Sequence, residues 1–271
     1  MDQEEHALDH DGVTHVVRIG ETVRRPVRPF TRTMHAYLRH VRLHGVDFVP
    51  EPLGYDGQGR EILSFIEGDV PVEPLPAWAT RDVVLVGLGQ LIRRLHDAAE
   101  GWEPPPDAVW GSIPGLPSVP VLPLFDVPEL VSHQDYCPGN VVFRQGIPVA
   151  VIDFDLARPT TRVADCVNAL HWWAPLLHPR DRVPALRDAD VARRVRVFAD
   201  AYGLTREQRA LVGPVAVQRA RNSHVAMRAA ADVDPVFSRW WKEGVKDRMP
   251  RAEQWVAEES ERMDRALLDD P

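Results

Sequence analysis

Apolar positions in the first third of the chain fall in short alternating runs separated by turn residues. "THVVRIG" and "TVRRPV" meet at Gly20-Glu21, where glycine tolerates a positive φ, so the pattern predicts a β-hairpin. The period then changes. Met34, Leu38 and Val41 recur at helical spacing, predicting a helix from Thr31 or Thr33 to His44 with a hydroxyl N-cap and Gly45 at its end. "EPLGYD" and "REILSFI" flank Gly57-Gln58-Gly59 as a second hairpin. The order strand, strand, helix, strand, strand predicts a small antiparallel sheet with one helix.

Beyond "EGDVPVEPLP" the pattern turns to longer helices. The first is predicted from near Thr80 to Glu100, with Val84, Leu88, Leu91 and Leu95 as its buried stripe. "LVSHQD" ends a short strand, and "NVVF" and "PVAVIDF" form a hairpin about Gln145-Gly146. Everything after about Asp165 reads as helical. Thr205 and Gln208 have the form of a capping box, and Pro214 is expected to kink or interrupt the helix they open. The tail "AEQWVAEESERMDRALLDD" reads as an amphipathic helix with an acidic face. Proline clusters in "EPPPDAVW" and "GLPSVPVLP", predicting a stiff loop over 102–123.

Composition narrows the classes. With 271 residues, 44% of them hydrophobic and 27% charged, the chain can bury a substantial core as one large domain or two small lobes. No apolar run reaches the ~20 residues of a membrane helix, and the polar start is no secretory signal, so a cytoplasmic protein without a membrane partner is expected. Cys137 and Cys166 are the only cysteines, too few for a disulfide framework or a thiolate zinc site. The net charge of -8 argues against nucleic acid and makes a cationic or neutral small substrate the easier partner. Lysine occurs only at Lys242 and Lys246.

The candidate chemistry lies in "HQDYCPGN" at 133–140 and "IDFD" at 152–155. Phosphoryl transfer asks a protein to orient a hydroxyl, hold Mg²⁺ against phosphates and neutralise developing charge. Asp135 and Asn140, five residues apart across Pro138-Gly139, let one loop present a carboxylate and an amide around the same phosphate. Pairing of the two following strands returns Asp153 beside Asn140, and Mg²⁺ accepts such hard oxygen ligands while keeping several waters. Either segment alone is ordinary as a solvated acidic loop; the combination of H-x-D-x4-N, a hairpin and I-D-F-D is far rarer.

The stretch "SHQDYCPGNVVFRQGIPVAVIDFDLARP" resembles the catalytic core of the aminoglycoside phosphotransferase and choline kinase superfamily, small-molecule kinases with a protein-kinase-like fold. The resemblance covers most of residues 12–175, including "REILSFIEG" as the strand entering an interlobe hinge, "LGQLIRRLHD" as the helix before the core, and Asp165 as a later structural aspartate. It implies an α+β, bilobal fold: a small N-terminal antiparallel sheet plus one helix over 1–66, and a larger, mainly helical catalytic and substrate-binding lobe over 67–271. It implies Asp135 as catalytic base, Asn140 and Asp153 as Mg²⁺ ligands, His133 as a loop-shaping residue, and Asp155 as either a second-metal or a structural acid. Phe65 and Ile66 would line an adenine slot floored by Val142 and Ile152. His96 would serve a helix cap or an interlobe contact. Trp172 and Trp173 would pack the helix or line a substrate wall.

Two departures mark the nucleotide end. Only "DHDGVT" stands where a glycine-rich loop is expected, and no lysine precedes 242, leaving Arg24 or Arg25 as the phosphate anchor; strand alternation turns one of the pair inward. His35 stands near the place of the anchor's usual glutamate. The glutamine between His133 and Asp135, and the short span from Asp153 to Asp165, separate the chain from protein kinases. The expected activity is transfer of the γ-phosphate of ATP or GTP to a hydroxyl of a small molecule, an aminoglycoside-like antibiotic or a hydroxylated metabolite. The alternatives are a catalytically inactive, kinase-like nucleotide-binding protein and, more weakly, a metal-dependent hydrolase.

Overall fold

The computed structural model describes residues 5–8, 15–71, 74–112, 116 and 121–269. The segment "DHDGVT" and part of the 102–123 loop lie outside the described residues. A five-stranded antiparallel sheet in the order β1-β2-β3-β5-β4 is built from β1 (His6–Ala7), β2 (Val17–Ile19), β3 (Thr22–Pro26), β4 (Pro52–Tyr55) and β5 (Arg60–Ser64). Strands β2 and β3 form the hairpin expected at Gly20-Glu21, with Gly20 at positive φ. Strand β1, too short to leave an alternating pattern, joins the edge.

Helix α1 (Thr31–Leu43) buries Met34, Tyr37, Leu38 and Val41 and ends at Gly45 in the left-handed region. Its N-cap differs from the sequence expectation. Phe30 occupies the position, and the Thr31 hydroxyl instead accepts from the Arg28 amide and reaches Glu61. A hydroxyl recruited to an internal carboxylate is no longer available as a cap.

Helix α2 (Asp82–Ala99) buries Val84, Leu88, Leu91 and Leu95 as the period predicts. Strands β6 (Leu130–Ser132), β7 (Val141–Arg144), β8 (Ile147–Val151) and β9 (Arg158–Thr160) form two small ribbons, β6 with β9 and β7 with β8. The helices α3 (Arg162–Trp173), α4 (Val191–Tyr202), α5 (Arg206–Val233), α6 (Pro235–Trp240) and α7 (Lys246–Leu268) complete the large lobe. Between α3 and α4 the chain makes only short 3₁₀ turns, so the region beyond 165 is less uniformly helical than its composition suggests. The capping box at Thr205 and Gln208 is formed on both sides.

Helix α5 continues through Pro214, so of the expected kink or interruption the interruption does not occur. Proline forfeits one N–H there, while the packing of Val212, Gly213, Val215 and Ala216 holds the segment helical. Among the described residues no helix is long and apolar enough to cross a membrane.

One apolar core spans both lobes, from Met34, Tyr37 and Leu63 through Leu88 and Phe154 to Trp173 and Phe198. Polar contacts stitch the same seam. The Tyr37 hydroxyl donates to the Val131 carbonyl (3.0 Å), the Val151 amide to the Phe48 carbonyl (3.1 Å), and the Val109 amide to the Thr33 hydroxyl (3.0 Å).

Candidate functional site

The site begins with a loop that leaves β6 in a strained backbone conformation held by its surroundings. Gln134 sits at φ 63° and Asp153 at φ 62°, left-handed values rare outside glycine that persist where surrounding contacts over-determine them. The surrounding contacts are visible at Gln134. Buried Asp165 of α3 accepts from the Gln134 amide (3.0 Å), and Asn168 of α3 donates to the Gln134 carbonyl (2.7 Å) while accepting from the Tyr136 amide (3.0 Å). Trp173 Nε1 donates to the Tyr136 carbonyl at 2.7 Å.

Asp165 also lies 2.7 Å from His96 Nε2 and accepts from the Tyr136 hydroxyl at 2.6 Å. Burial works to raise its carboxyl, yet the bonds from His96, Tyr136 and Ser132 hold it below the ordinary aspartate value. His96 is therefore neither a helix cap nor an interlobe contact. It is a buried partner of Asp165, anchoring α2 to the support of the loop.

His133 closes the other side. Its Nδ1 accepts from the Asp135 amide (3.2 Å), which leaves Nε2–H to donate to the Ile152 carbonyl at 2.8 Å. Its ring stacks on Tyr136 and meets the edge of Phe154, so the histidine shapes the loop.

Asp135, Asn140 and Asp153 converge on this frame. Asn140 Nδ2 donates to the Asp135 carboxylate (2.9 Å) and carbonyl (3.0 Å), and the Ile152 amide donates to the Asn140 carbonyl (2.9 Å), which places Asp153 next along the chain. Burial raises the Asp135 carboxyl above its usual value; His133 and Arg219 oppose, and Asp153 adds to the rise. Burial likewise pushes the nearby Cys137 thiol up to about 12, so it carries little thiolate.

Of the two candidate arginines, the sheet turns Arg25 toward the acids. Arg25 Nη1 lies 3.2 Å from Asp153 and Nη2 2.8 Å from Asp155, while Nε donates to Glu61 at 2.8 Å. Burial opposes its charge, but these three carboxylates hold it firmly protonated. Arg24, on the opposite face, donates to the Thr22 hydroxyl (2.6 Å) and lies 3.8 Å from Asp56.

Glu61 is the residue that sequence reasoning passed over. It is 1% exposed on β5, directly opposite Arg25 in register, and takes His35 Nε2 of α1 on its other oxygen at 2.8 Å. The carboxylate that steadies the anchor thus comes from the sheet, while the helix supplies His35. An acid on the same strand face as apolar Leu63 is the available signal, since burial of an unpaired glutamate is costly.

The apolar candidates are dispersed around this centre. Val142 is fully buried on β7 under the connection that passes Gly68, and Ile152 follows β8 half-buried. Ile66 packs on the core, whereas the Phe65 ring lies beneath the Arg18 guanidinium at 3.8 Å. Trp173 is buried in helix packing and Trp172 is partly exposed.

A divalent cation fits the donor set. Asp155 Oδ1 is buried and, although near Arg25, receives no hydrogen bond; Asp153 is half exposed. Burial and the Asp153 charge push the Asp155 carboxyl up to about 7, the electrostatic mark of acids gathered for a positive ligand. Among the described residues no group of three His, Cys, Asp or Glu side chains could hold a metal alone. Mg²⁺ needs no such cage, because one or two carboxylates, phosphates and water complete its shell.

The sequence profile described as "Phosphotransferase enzyme family" matches residues 114–210. The trifolitoxin immunity protein of Rhizobium leguminosarum bv. trifolii is 34% identical over 211 residues, 76% of this chain and 77% of that protein. A choline/ethanolamine kinase family protein from Mesorhizobium loti superposes with a TM-score of 0.65 at 16% identity, covering 98% of this chain and 93% of the other. Amicoumacin kinase hAmiN, solved with AMP-PNP, Ca²⁺ and Ami, gives 0.64 at 14% identity, covering 90% and 89%. At these identities the two structures establish likeness of fold.

Proposed function

The chain belongs to the phosphotransferase enzyme family, and we propose that it moves the γ-phosphate of ATP or GTP to a hydroxyl of a small molecule. The observation that carries this reading is the meeting of Asp135, Asn140 and Asp153 on one braced loop and hairpin, opposite a cation from the other lobe. Asp135 orients the acceptor hydroxyl and takes its proton as the new O–P bond forms and the bond from the γ-phosphorus to the β,γ-bridging oxygen breaks, releasing the nucleoside diphosphate. Asn140 and Asp153 would hold Mg²⁺, with Asp155 beside them, and the ion would supply charge neutralisation on the phosphates. Arg25, held at Nε by Glu61, would reach phosphate oxygens in place of the usual lysine once Nη1 and Nη2 release Asp153 and Asp155 to the metal; its planar, permanently charged head suits bidentate contact. Val142, Ile152, Ile66 and Phe65 border the base.

The retained acids and the Arg25–Glu61 pair support an active enzyme over an inert nucleotide binder. A relative named for immunity to trifolitoxin and a fold neighbour named as a kinase of amicoumacin support antibiotics, beside hydroxylated metabolites, as acceptors. The test is calorimetric titration with ATP and GTP, with and without Mg²⁺, followed by mass spectrometry of a hydroxyl-compound library. Asp135→Asn is expected to lower transfer by about 100- to 10,000-fold while Mg-nucleotide binding survives. Equal loss of binding would mean that Asp135 serves the nucleotide and not the acceptor.

A further inference from the structure

A chain of hydrogen bonds runs from the loop that carries Asp135 through the large lobe to exposed acids on α2. Its inner half is the buried set around Asp165, which ends at His96. The outer half continues into α4. His96 Nδ1 lies 2.7 Å from the Tyr202 hydroxyl, and that oxygen lies 3.3 Å from Nη1 of Arg162, the first residue of α3. Arg162 is held in turn by Asp97 (2.9 Å) and Glu100 (3.2 Å), both exposed.

Donor counting fixes the direction of every link. A guanidinium only donates, so the Tyr202 oxygen accepts from Arg162 and its own hydrogen goes to His96 Nδ1. Burial raises the Tyr202 phenol above its usual value, so the hydrogen stays on it. With Nδ1 accepting, the imidazole carries its hydrogen on Nε2 and gives it to Asp165. Every donor therefore points inward, at the carboxylate that holds Gln134 and Tyr136 on either side of Asp135. Links in such a chain polarise one another, so the phenol strengthens the bond from His96 to Asp165 from one residue further out.

Packing brings Tyr202 to this post. Gly89 lies about two turns before His96 on α2, and a Cβ there would stand 3.1 Å from both the Tyr202 amide nitrogen and the Phe198 carbonyl oxygen, so the glycine lets α4 come close. Tyr202 is the last residue of α4, which Gly203 stops at φ 81°. Tyr202, His96 and Asp165 are all buried, so a lost donor has no solvent to replace it.

We propose that Tyr202 and Arg162 are positioning residues for the transfer step: through His96 and Asp165 they hold the strained Gln134 backbone, and with it the Asp135 carboxylate, in the geometry that the acceptor hydroxyl requires. The proposal rests on the phosphotransferase reading and extends its machinery to α4.

Two measurements on the full chain test it, and only one needs catalysis. Amide hydrogen exchange is followed by NMR in the parent, Tyr202→Phe and Arg162→Gln, well below each melting temperature. Tyr202→Phe keeps the ring and removes the donor. The Gln134 and Tyr136 amides, bonded to Asp165 and Asn168, should then exchange about tenfold faster or more, while the Phe143 and Val151 amides, bonded to Asp69 and Phe48, keep the parent rates. The His96 Nε2 proton should move upfield as its bond to Asp165 weakens. Arg162→Gln should act the same way to a smaller degree, and it carries the comparison if Tyr202→Phe does not fold; Arg162→Lys, which restores a donor, should recover part of the parent behaviour. In the second measurement, transfer from Mg-ATP or Mg-GTP to water serves as a probe that needs no identified acceptor. Its kcat should fall about 10- to 100-fold, with KM for the nucleotide within about twofold of the parent. Unchanged loop exchange, or faster exchange shared equally by Phe143 and Val151, would make the phenol an ordinary packing group and overturn the proposal. So would full kcat beside a loosened loop, or a loss confined to KM. Selective loosening in a protein whose parent binds neither nucleotide would instead sink the phosphotransferase reading and leave the anchoring chain standing.

Discussion

Arg25, Glu61 and His35 make a buried hydrogen-bonded triad centred on the Glu61 carboxylate. Removing Glu61 takes away one of the three carboxylates on Arg25 and leaves His35 Nε2 without its partner, so Glu61→Ala is expected to cost roughly 1–3 kcal/mol of stability in urea unfolding at neutral pH. Arg24→Ala, which gives up contacts to the Thr22 hydroxyl, the Val23 carbonyl and Asp56, should cost about 1 kcal/mol or less. The expectation that one arginine faces inward was legible from strand alternation. Which one, and that a glutamate waits opposite, was not, because a sequence gives the period of a strand but not its register against the next. Asp165 carries a pH signature. Its carboxyl is held low in the folded state, so its stabilisation is present above the ordinary aspartate value of roughly 4 and is lost as pH falls through the lower folded value. Asp165→Asn should therefore lag the parent protein most at neutral pH, and the gap should narrow on acidification when the two are unfolded in urea side by side.

At the scale of elements, the two hairpins, α1, α2 and the β7–β8 ribbon follow from hydrophobic period and turn chemistry alone. What escaped were pieces too short to show a period, β1 and β9, and the 3₁₀ turns between α3 and α4, where Pro175, Pro179 and Pro184 break up a segment flanked by helices. Pro214 does not interrupt α5, because the tertiary packing around it outweighs the local penalty. The start of the proline-rich loop has a structural task. Its Val109 amide bonds Thr33 of α1, Arg158 donates to the Gly111 carbonyl, and a Cβ at Gly111 would collide with the Asp155 carbonyl oxygen. This segment straps the small lobe's helix to the acids of the site. Gly111→Ala should push the Asp155 backbone aside, costing about 1–3 kcal/mol of stability and weakening Mg-nucleotide binding, which calorimetry would report together with the melt.

Across the whole molecule, the lobes share a core and are pinned by contacts on either side of the site, so a ligand held between them should stabilise the entire fold. At 100 times its dissociation constant, Mg-nucleotide should add about 2.7 kcal/mol to unfolding, and Asp153→Ala should remove the Mg²⁺-dependent part of that gain in thermal melts. In protein kinases the anchoring ion pair joins a strand to a mobile helix, and movement of that helix turns the enzyme on and off. Here both members of the pair, Arg25 and Glu61, are cross-strand neighbours fixed by hydrogen-bonded register. No swing of α1 can separate them. The contact is as permanent as the sheet itself, and it is lost only when the sheet unfolds.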